Sequence, residues 1–266
     1  MKETLEEKKA RVKKILSRLC KAYGPGKCAL KHSNPLELLV AVILSAQCTD
    51  KRVNLVTPAL FKKYHTAQDY ARADAGTFEQ EIRSTGFYKN KAKNILACAK
   101  EIVAKHDSRV PSSMEELVRL PGVGRKTANA VLGNAFGVPG ICVDTHMIRI
   151  NRKLGLTKNT DPEKIEFDLV PLVPQKEWTN YSHQIIHHGR VRCIARRPDC
   201  ANCVIHDLCP SREDKPSLRA PQGRSNLRSG IASSLPTEGT VKGTLISPDA
   251  SGVRASSSRL RRQSSQ

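Results

Sequence analysis

The stretch LPGVGRKTANAVLGNAFGVPGICVDTH, residues 120–146, holds two glycines at a spacing of two, a lysine just after them and an aspartate eighteen residues beyond that lysine. Gly122 and Gly124 let the main chain bend tightly and approach a ligand with no Cβ in the way. The amides of such a turn, and of the first turn of the helix after it, lack internal partners and form an anion site suited to a phosphate. Lys126 stands in that first turn, where the positive end of the peptide dipoles disfavours a further positive charge, and Arg125 beside it acts the same way. An uncharged amine is a carbon nucleophile; the competing reading is a solvated cation or a simple phosphate contact. Asp144 opens the next helix and, from the residues alone, reads as its N-cap. His146, two residues on, reads either as a contact to a phosphate or to the lysine–aspartate pair, or as a local hydrogen-bonding residue.

A second set of chemistry-bearing residues lies further along. Cys193, Cys200, Cys203 and Cys209 are four thiols within seventeen residues. Zinc and an iron–sulfur cluster both accept four cysteine thiolates, so the residue types leave the two open. The remaining five cysteines, Cys20, Cys28, Cys48, Cys98 and Cys142, sit at mostly apolar positions and read as inert core thiols. An odd total of nine, with no secretory signal in the charged start Met-Lys-Glu-Thr-Leu-Glu-Glu, favours a reducing compartment.

The elements that must position these groups are nearly all helical. Residues 3–22 repeat apolar positions at helical spacing and end at Gly24-Pro25-Gly26. Asn34-Pro35-Leu36-Glu37 supplies an N-cap, a first-turn proline and a capping-box glutamate for an apolar helix from 35 to about 46, expected at the centre of the fold. Two short helices split at Thr57-Pro58, then helices over 67–73 and 77–84, are expected next. A break at Thr85-Gly86-Phe87-Tyr88 precedes a helix capped by Asn90 and running to about Lys105. Ser113 to Glu116 is a second capping box; helix, glycine turn and the helix over 125–136 make a helix-hairpin-helix. Trp178, Tyr181 and Ile185 repeat at helical spacing and read as packing. No stretch alternates with the period of two that a half-buried strand requires, so the fold class is all-α.

The formal charge of +20 and pI near 9.8 argue for a polyanionic partner, most often nucleic acid. Residues 211–266 account for +6 of it, so the part expected to fold is itself basic. From about Pro216 the chain has twelve serines, five glycines, four prolines and no aromatic residue, the composition of a disordered tail, in which Arg254, Arg259, Arg261 and Arg262 could add weak attraction to DNA. No run of some eighteen apolar residues exists to span a membrane, and a cytoplasmic, nucleoid-associated monomer is expected.

LPGVGRKTANAVL, VDTH at 143–146, ILSAQCTD at 43–50 and the terminal C-x6-C-x2-C-x5-C together resemble the bacterial endonuclease III family of DNA base-excision glycosylases, over roughly residues 5–212. The resemblance implies a six-helix domain over 28–138 holding the hairpin, an iron–sulfur domain made of 1–27 and 139–212, a tail over 213–266, and an active site in the cleft between the two domains. It implies a [4Fe–4S] cluster on the four cysteines, its negative charge offset by Arg190, Arg192, Arg196 and Arg197, which would also meet DNA phosphates. It implies that Lys126 attacks C1′ of a damaged nucleotide, with Asp144 helping to activate the amine and stabilising positive charge on the sugar. The lysine Schiff base then leads to β-elimination 3′ to the site. The substrate class is duplex DNA carrying oxidised pyrimidines or abasic sites. A base inside a duplex is out of reach, so the nucleotide must be turned out. The resemblance places a void-filling glutamine at Gln47 and an apolar wedge at Phe87, where leucine is commoner and a buried core phenylalanine is the competing reading. Two other functions compete with this one: a monofunctional adenine-mismatch glycosylase, which lacks the lysine and carries a further folded domain, and a hairpin module that only binds DNA. The latter leaves Lys126, Asp144 and Gln47 unexplained.

Overall fold

Asn34 and Pro35 start the helix around which the first half of the chain packs. In the computed structural model, which describes residues 3–212, the Asn34 side chain accepts from the Glu37 amide at 2.9 Å and Pro35 occupies the first turn. The region read as a disordered tail, 213–266, lies outside the described residues.

Eleven α-helices and no strand occur among the described residues. The first, α1 (Leu5–Tyr23), opens on a capping box of Thr4 and Glu7, buries Val12, Ile15, Leu16 and Leu19, and stops at Gly24, whose φ of 74° no L side chain adopts cheaply. Next, α2 (Pro35–Leu44) buries Leu38 through Ala41, Ile43 and Leu44 and packs against three other helices, as its apolar circumference predicts. The expected break at Pro58 does not occur: α3 (Asp50–Lys63) runs straight through it. Burial of Val53, Thr57 and Leu60 on one face outweighs the one hydrogen bond a proline removes.

Short helices α4 (Ala67–Arg72) and α5 (Ala75–Ile82) are capped by Thr66 and Asp74, and a 3-10 turn over Arg83–Thr85 follows. Then comes α6 (Tyr88–Lys105), which starts two residues before the expected Asn90 cap. Phe87 occupies the cap position without a side-chain bond, so the entry to α6 is set by the turn and not by a capping side chain. The hairpin consists of α7 (Met114–Leu117), only one turn long and capped by Ser113, and α8 (Arg125–Ala135). The chain continues into α9 (Thr145–Lys153), α10 (Pro162–Leu169) and α11 (Trp178–Val191).

The buried apolar side chains fall into two clusters. One draws on residues between Leu30 and Leu132; the other joins α1 to residues between Ile141 and Ile205. Tyr181 and Ile185 are fully buried in the second, Trp178 packs against it, and the Trp178 Nε1 donates to the Val173 carbonyl at 2.9 Å, so this stripe is packing as its spacing predicts. Of the five cysteines outside the terminal motif Cys98 is buried, Cys28 and Cys48 pack half-buried against the first cluster, and Cys28 and Cys142 also line the cleft described next. No helix among the described residues is long and apolar enough to cross a membrane.

Candidate active site

The hairpin turn is closed by the Val123 amide donating to the Leu120 carbonyl at 3.1 Å. Gly122 is required twice over: its φ is 77°, and a Cβ there would come within 2.7 Å of the Asn94 Cβ. Gly124 has open space around it and forms the N-cap of α8 with no side chain bonded to the first-turn amides. Those amides are thus left for an external anion.

Lys126, in the first turn of α8, and Asp144, the N-cap of α9, come from opposite sides of the boundary between the clusters and line one cleft. Gln47 lines the same cleft from the turn after α2. The Oδ1 of Asp144 accepts from the Met147 amide at 2.8 Å, so the capping role read from the sequence is present. A carboxylate has two oxygens, and the cap does not exhaust it. The Cys142 sulfur lies 3.9 Å from the Lys126 carbonyl oxygen; burial pushes its thiol up to about 12, against a smaller opposing pull from the Lys126 cation. Cys142 is therefore a protonated, unreactive wall of the cleft near neutral pH.

Several neighbours expected to meet DNA are otherwise occupied. Arg125 gives Glu166 a two-pronged ion pair, both contacts at 2.9 Å, and its guanidinium lies 5.2 Å from the Phe167 ring centre. Its side chain is turned to α10, and Glu166 compensates its charge beside Lys126. His146 does not line the cleft: a Cβ on Gly189 would come within 2.7 Å of its Nδ1, and burial holds its imidazole below the ordinary range. It sits half-buried between α9 and Gly189 of α11, where its Nδ1 meets the Arg149 Nη2 at 3.4 Å, so the local hydrogen-bonding reading is the one present.

Gln47 and Phe87 are both exposed, Phe87 by 68%, which rules out the core reading of that phenylalanine. Both have left-handed backbones, φ 51° and 49°, and both line a cavity that Gly122 also borders. A non-glycine residue in that region is uncommon and costs free energy, a pattern found at functional turns.

Cys193, Cys200, Cys203 and Cys209 line one cavity at the end of α11. Turns tie their loop together: the amides of Cys203, His206 and Cys209 donate to the carbonyls of Cys200, Cys203 and His206 at 3.2, 3.0 and 3.2 Å. From α1, Arg11 donates to the carbonyls of Leu154 and Leu208 at 2.9 and 3.1 Å, and Arg18 pairs with Asp207, so the start of the chain clamps the loop. Burial first, then the neighbouring thiols, pushes Cys203 and Cys209 above the usual range. Arg149 donates to the Cys193 sulfur at 3.4 Å, and the Nε2 of His188 lies 3.6 Å from the Cys203 sulfur while its Nδ1 meets the Tyr23 hydroxyl at 2.9 Å. Arg192, which also lines the cavity, has a buried Nε with no hydrogen-bond partner. Four thiols ringed by N–H donors suit an anionic sulfur-ligated group. No three His, Cys, Asp or Glu side chains among the described residues converge on a point as ligands of a single metal ion.

The arginines expected to serve this group divide. Arg192 is beside the cysteines and pairs with Asp199; Arg190 pairs instead with Asp50 at 2.9 Å on the cleft wall; Arg196 and Arg197 are exposed in the loop. Arg149 was not singled out from the sequence, although its place one turn past His146 on α9 pointed it at Gly189 and Cys193.

Residues 40–175 match the family model of the HhH-GPD superfamily base excision DNA repair proteins. Endonuclease III of Synechocystis is 52% identical over 79% of this chain and 96% of that protein, and endonuclease III of Bacillus subtilis is 45% identical over 76% and 94%. A solved structure of a trapped endonuclease III–DNA covalent intermediate superposes with a TM-score of 0.73 at 43% identity, covering 76% of this chain and 96% of that one. With its helical hairpin, cleft and cysteine loop, the chain belongs to the endonuclease III family of the HhH-GPD superfamily.

Proposed function

We propose that this protein is a bifunctional DNA glycosylase and abasic-site lyase of base excision repair, acting on oxidised pyrimidines in duplex DNA, with Lys126 as nucleophile and Asp144 as its carboxylate partner. The observation that carries the reading is that these two residues, from separately packed halves of the chain, line one cleft together with Gln47. The Nζ of Lys126 attacks C1′, the bond from C1′ to the base breaks, and the base leaves with the electron pair and is protonated. Asp144 holds its negative charge against the positive charge that builds on the sugar and receives the proton the amine releases. Opening of the sugar ring gives a Schiff base between C1′ and Nζ. Loss of a proton from C2′ then expels the 3′ phosphate, and water releases the lysine.

The open first-turn amides of α8 hold a backbone phosphate, Gln47 offers its amide to the orphaned partner base, and Phe87 fills the stack that the everted nucleotide leaves. Cys193, Cys200, Cys203 and Cys209 would hold a [4Fe–4S] cluster, which would supply a rigid cross-link for their loop; Arg149 and His188 lie against the cysteine sulfurs, and Arg192 lines the same cavity. The two buried clusters correspond, in this reading, to a hairpin domain over 28–138 and a cluster domain over 1–27 and 139–212. The exposed Arg196 and Arg197 contact phosphates, and the protein works as a monomer on nucleoid DNA in the cytoplasm. The test is borohydride trapping on a duplex with an abasic site. A covalent adduct is expected with the wild type and none with Lys126→Gln; a wild type without adduct overturns the reading, and an adduct that survives in the variant moves the nucleophile elsewhere.

A further inference from the structure

Lys91 lies in the first turn of α6, only 5% exposed, among Ala92, Ile95 and the other side chains of the first buried cluster. Its ammonium donates to two main-chain oxygens, that of Leu44 at the end of α2 and that of Thr85 in the 3-10 turn, each at 2.8 Å. A buried ammonium is costly, and an apolar side chain of the same length would fill the space without the penalty. The charge therefore calls for a reason beyond packing.

The two oxygens belong to the two segments that bear Gln47 and Phe87. Gln47 follows Leu44 by three residues and Phe87 follows Thr85 by two. Both tips are exposed and held in left-handed backbone, a conformation that persists only where the surroundings fix it. The Lys91 amide adds a third tie, donating to the Phe87 carbonyl at 3.1 Å. One helical turn on, Asn94 packs against Gly122 of the hairpin. A single face of α6 thus backs all three segments around the cavity that Gln47, Phe87 and Gly122 border.

We propose that Lys91 is a positioning residue for nucleotide eversion: by bridging Leu44 and Thr85 it makes the Gln47 and Phe87 tips one preorganised wedge. The inference rests on the proposed glycosylase and lyase function and deepens it. Two tips that enter a duplex together must otherwise be ordered separately, and each ordering step weakens productive binding. Lys91 touches neither the sugar nor Lys126 in this scheme, so the chemistry itself should not need it.

The experiment compares borohydride trapping and strand cleavage at an abasic site in a duplex with the same site in a single strand, where no partner base is orphaned and no stack must be filled. Lys91→Met keeps length and removes the donors; Lys91→Arg keeps donors. For Lys91→Met, duplex activity is expected to fall about tenfold or more, through substrate binding and with a weaker response of 2-aminopurine opposite the site, while single-strand activity stays near wild type. Lys91→Arg is expected to recover most of the duplex activity. Equal losses on both substrates would reduce Lys91 to a structural residue and overturn the inference, as would an unchanged ratio of duplex to single-strand activity. A wild type that reacts with neither substrate removes the proposed function and this inference with it; a reactive wild type beside an unchanged ratio removes the inference alone.

Discussion

The cleft and the cysteine loop are built on opposite plans. In the cleft, Gln47, Lys126 and Asp144 come from three segments spread over nearly a hundred residues, and each is placed by local structure: a left-handed turn, a helix start, a side-chain cap. In the loop, four like side chains lie within seventeen residues, and the main chain around them is a series of tight turns that α1 clamps from outside. Gln47 and Lys126 can be changed without disturbing what holds them, and Asp144 can be exchanged for another capping side chain. The loop's side chains are themselves what would hold it. The proposed function thereby separates chemistry and stability between the two regions, and substitutions should fail in different ways in each.

The largest expected effect breaks the cleft alone. Lys126→Gln should abolish the borohydride adduct while its thermal unfolding, followed by circular dichroism, stays within a few degrees of wild type. Asp144→Asn should keep its cap, since asparagine caps as well as aspartate, yet lower single-turnover base release by about 10² to 10³-fold. A drop in stability of similar size to that of a loop variant would break the separation. Cys200→Ser should behave in the reverse sense: iron and acid-labile sulfide per chain fall below the wild-type content and unfolding becomes less cooperative, with activity lost as a consequence. A stoichiometric zinc content in brown-free, anaerobically purified wild type would remove the cluster assignment.

Smaller effects sharpen the boundary between the regions. Glu166→Gln leaves the Arg125 guanidinium without its charged partner across the join of the two clusters, and should cost roughly 1–3 kcal/mol in urea unfolding with adduct formation retained. The smallest concerns His183, on the cleft wall, whose Nε2 lies 2.8 Å from the Asn134 Oδ1 and whose imidazole burial holds below its ordinary value of 6.5. The folded state therefore favours the neutral ring, so this contribution to stability is present above pH 6.5 and is lost as the pH falls toward the lowered folded value. The melting temperature should drop less between pH 7 and pH 5 in His183→Gln than in wild type; an identical drop would show that burial of this ring carries no stability.

Local signals in the sequence were sufficient for much of this. The Asn34-Pro35 start, the Thr85-to-Tyr88 break and the hairpin glycines were legible because caps and glycine turns act over three or four residues. Pro58 misled because the local cost of a proline is outweighed by burial of a face that only folding creates. Lys91 could have been noticed: it falls on the apolar face of α6, four residues before Ile95, where a lysine is out of place. What it grips could not, since Leu44 and Thr85 come near it only in the folded chain.

By itself, then, the sequence determined the helical class, the hairpin with Lys126 behind it and the four-cysteine loop, because each is written in neighbouring residues. The tertiary structure alone decided which charges remain free to act. Arg125 went to Glu166, Arg190 to Asp50 and Arg149 to Cys193, while His146 turned toward Gly189 and Arg149. A charged side chain is claimed by the nearest opposite charge or lone pair, and which group is nearest depends on how distant helices pack.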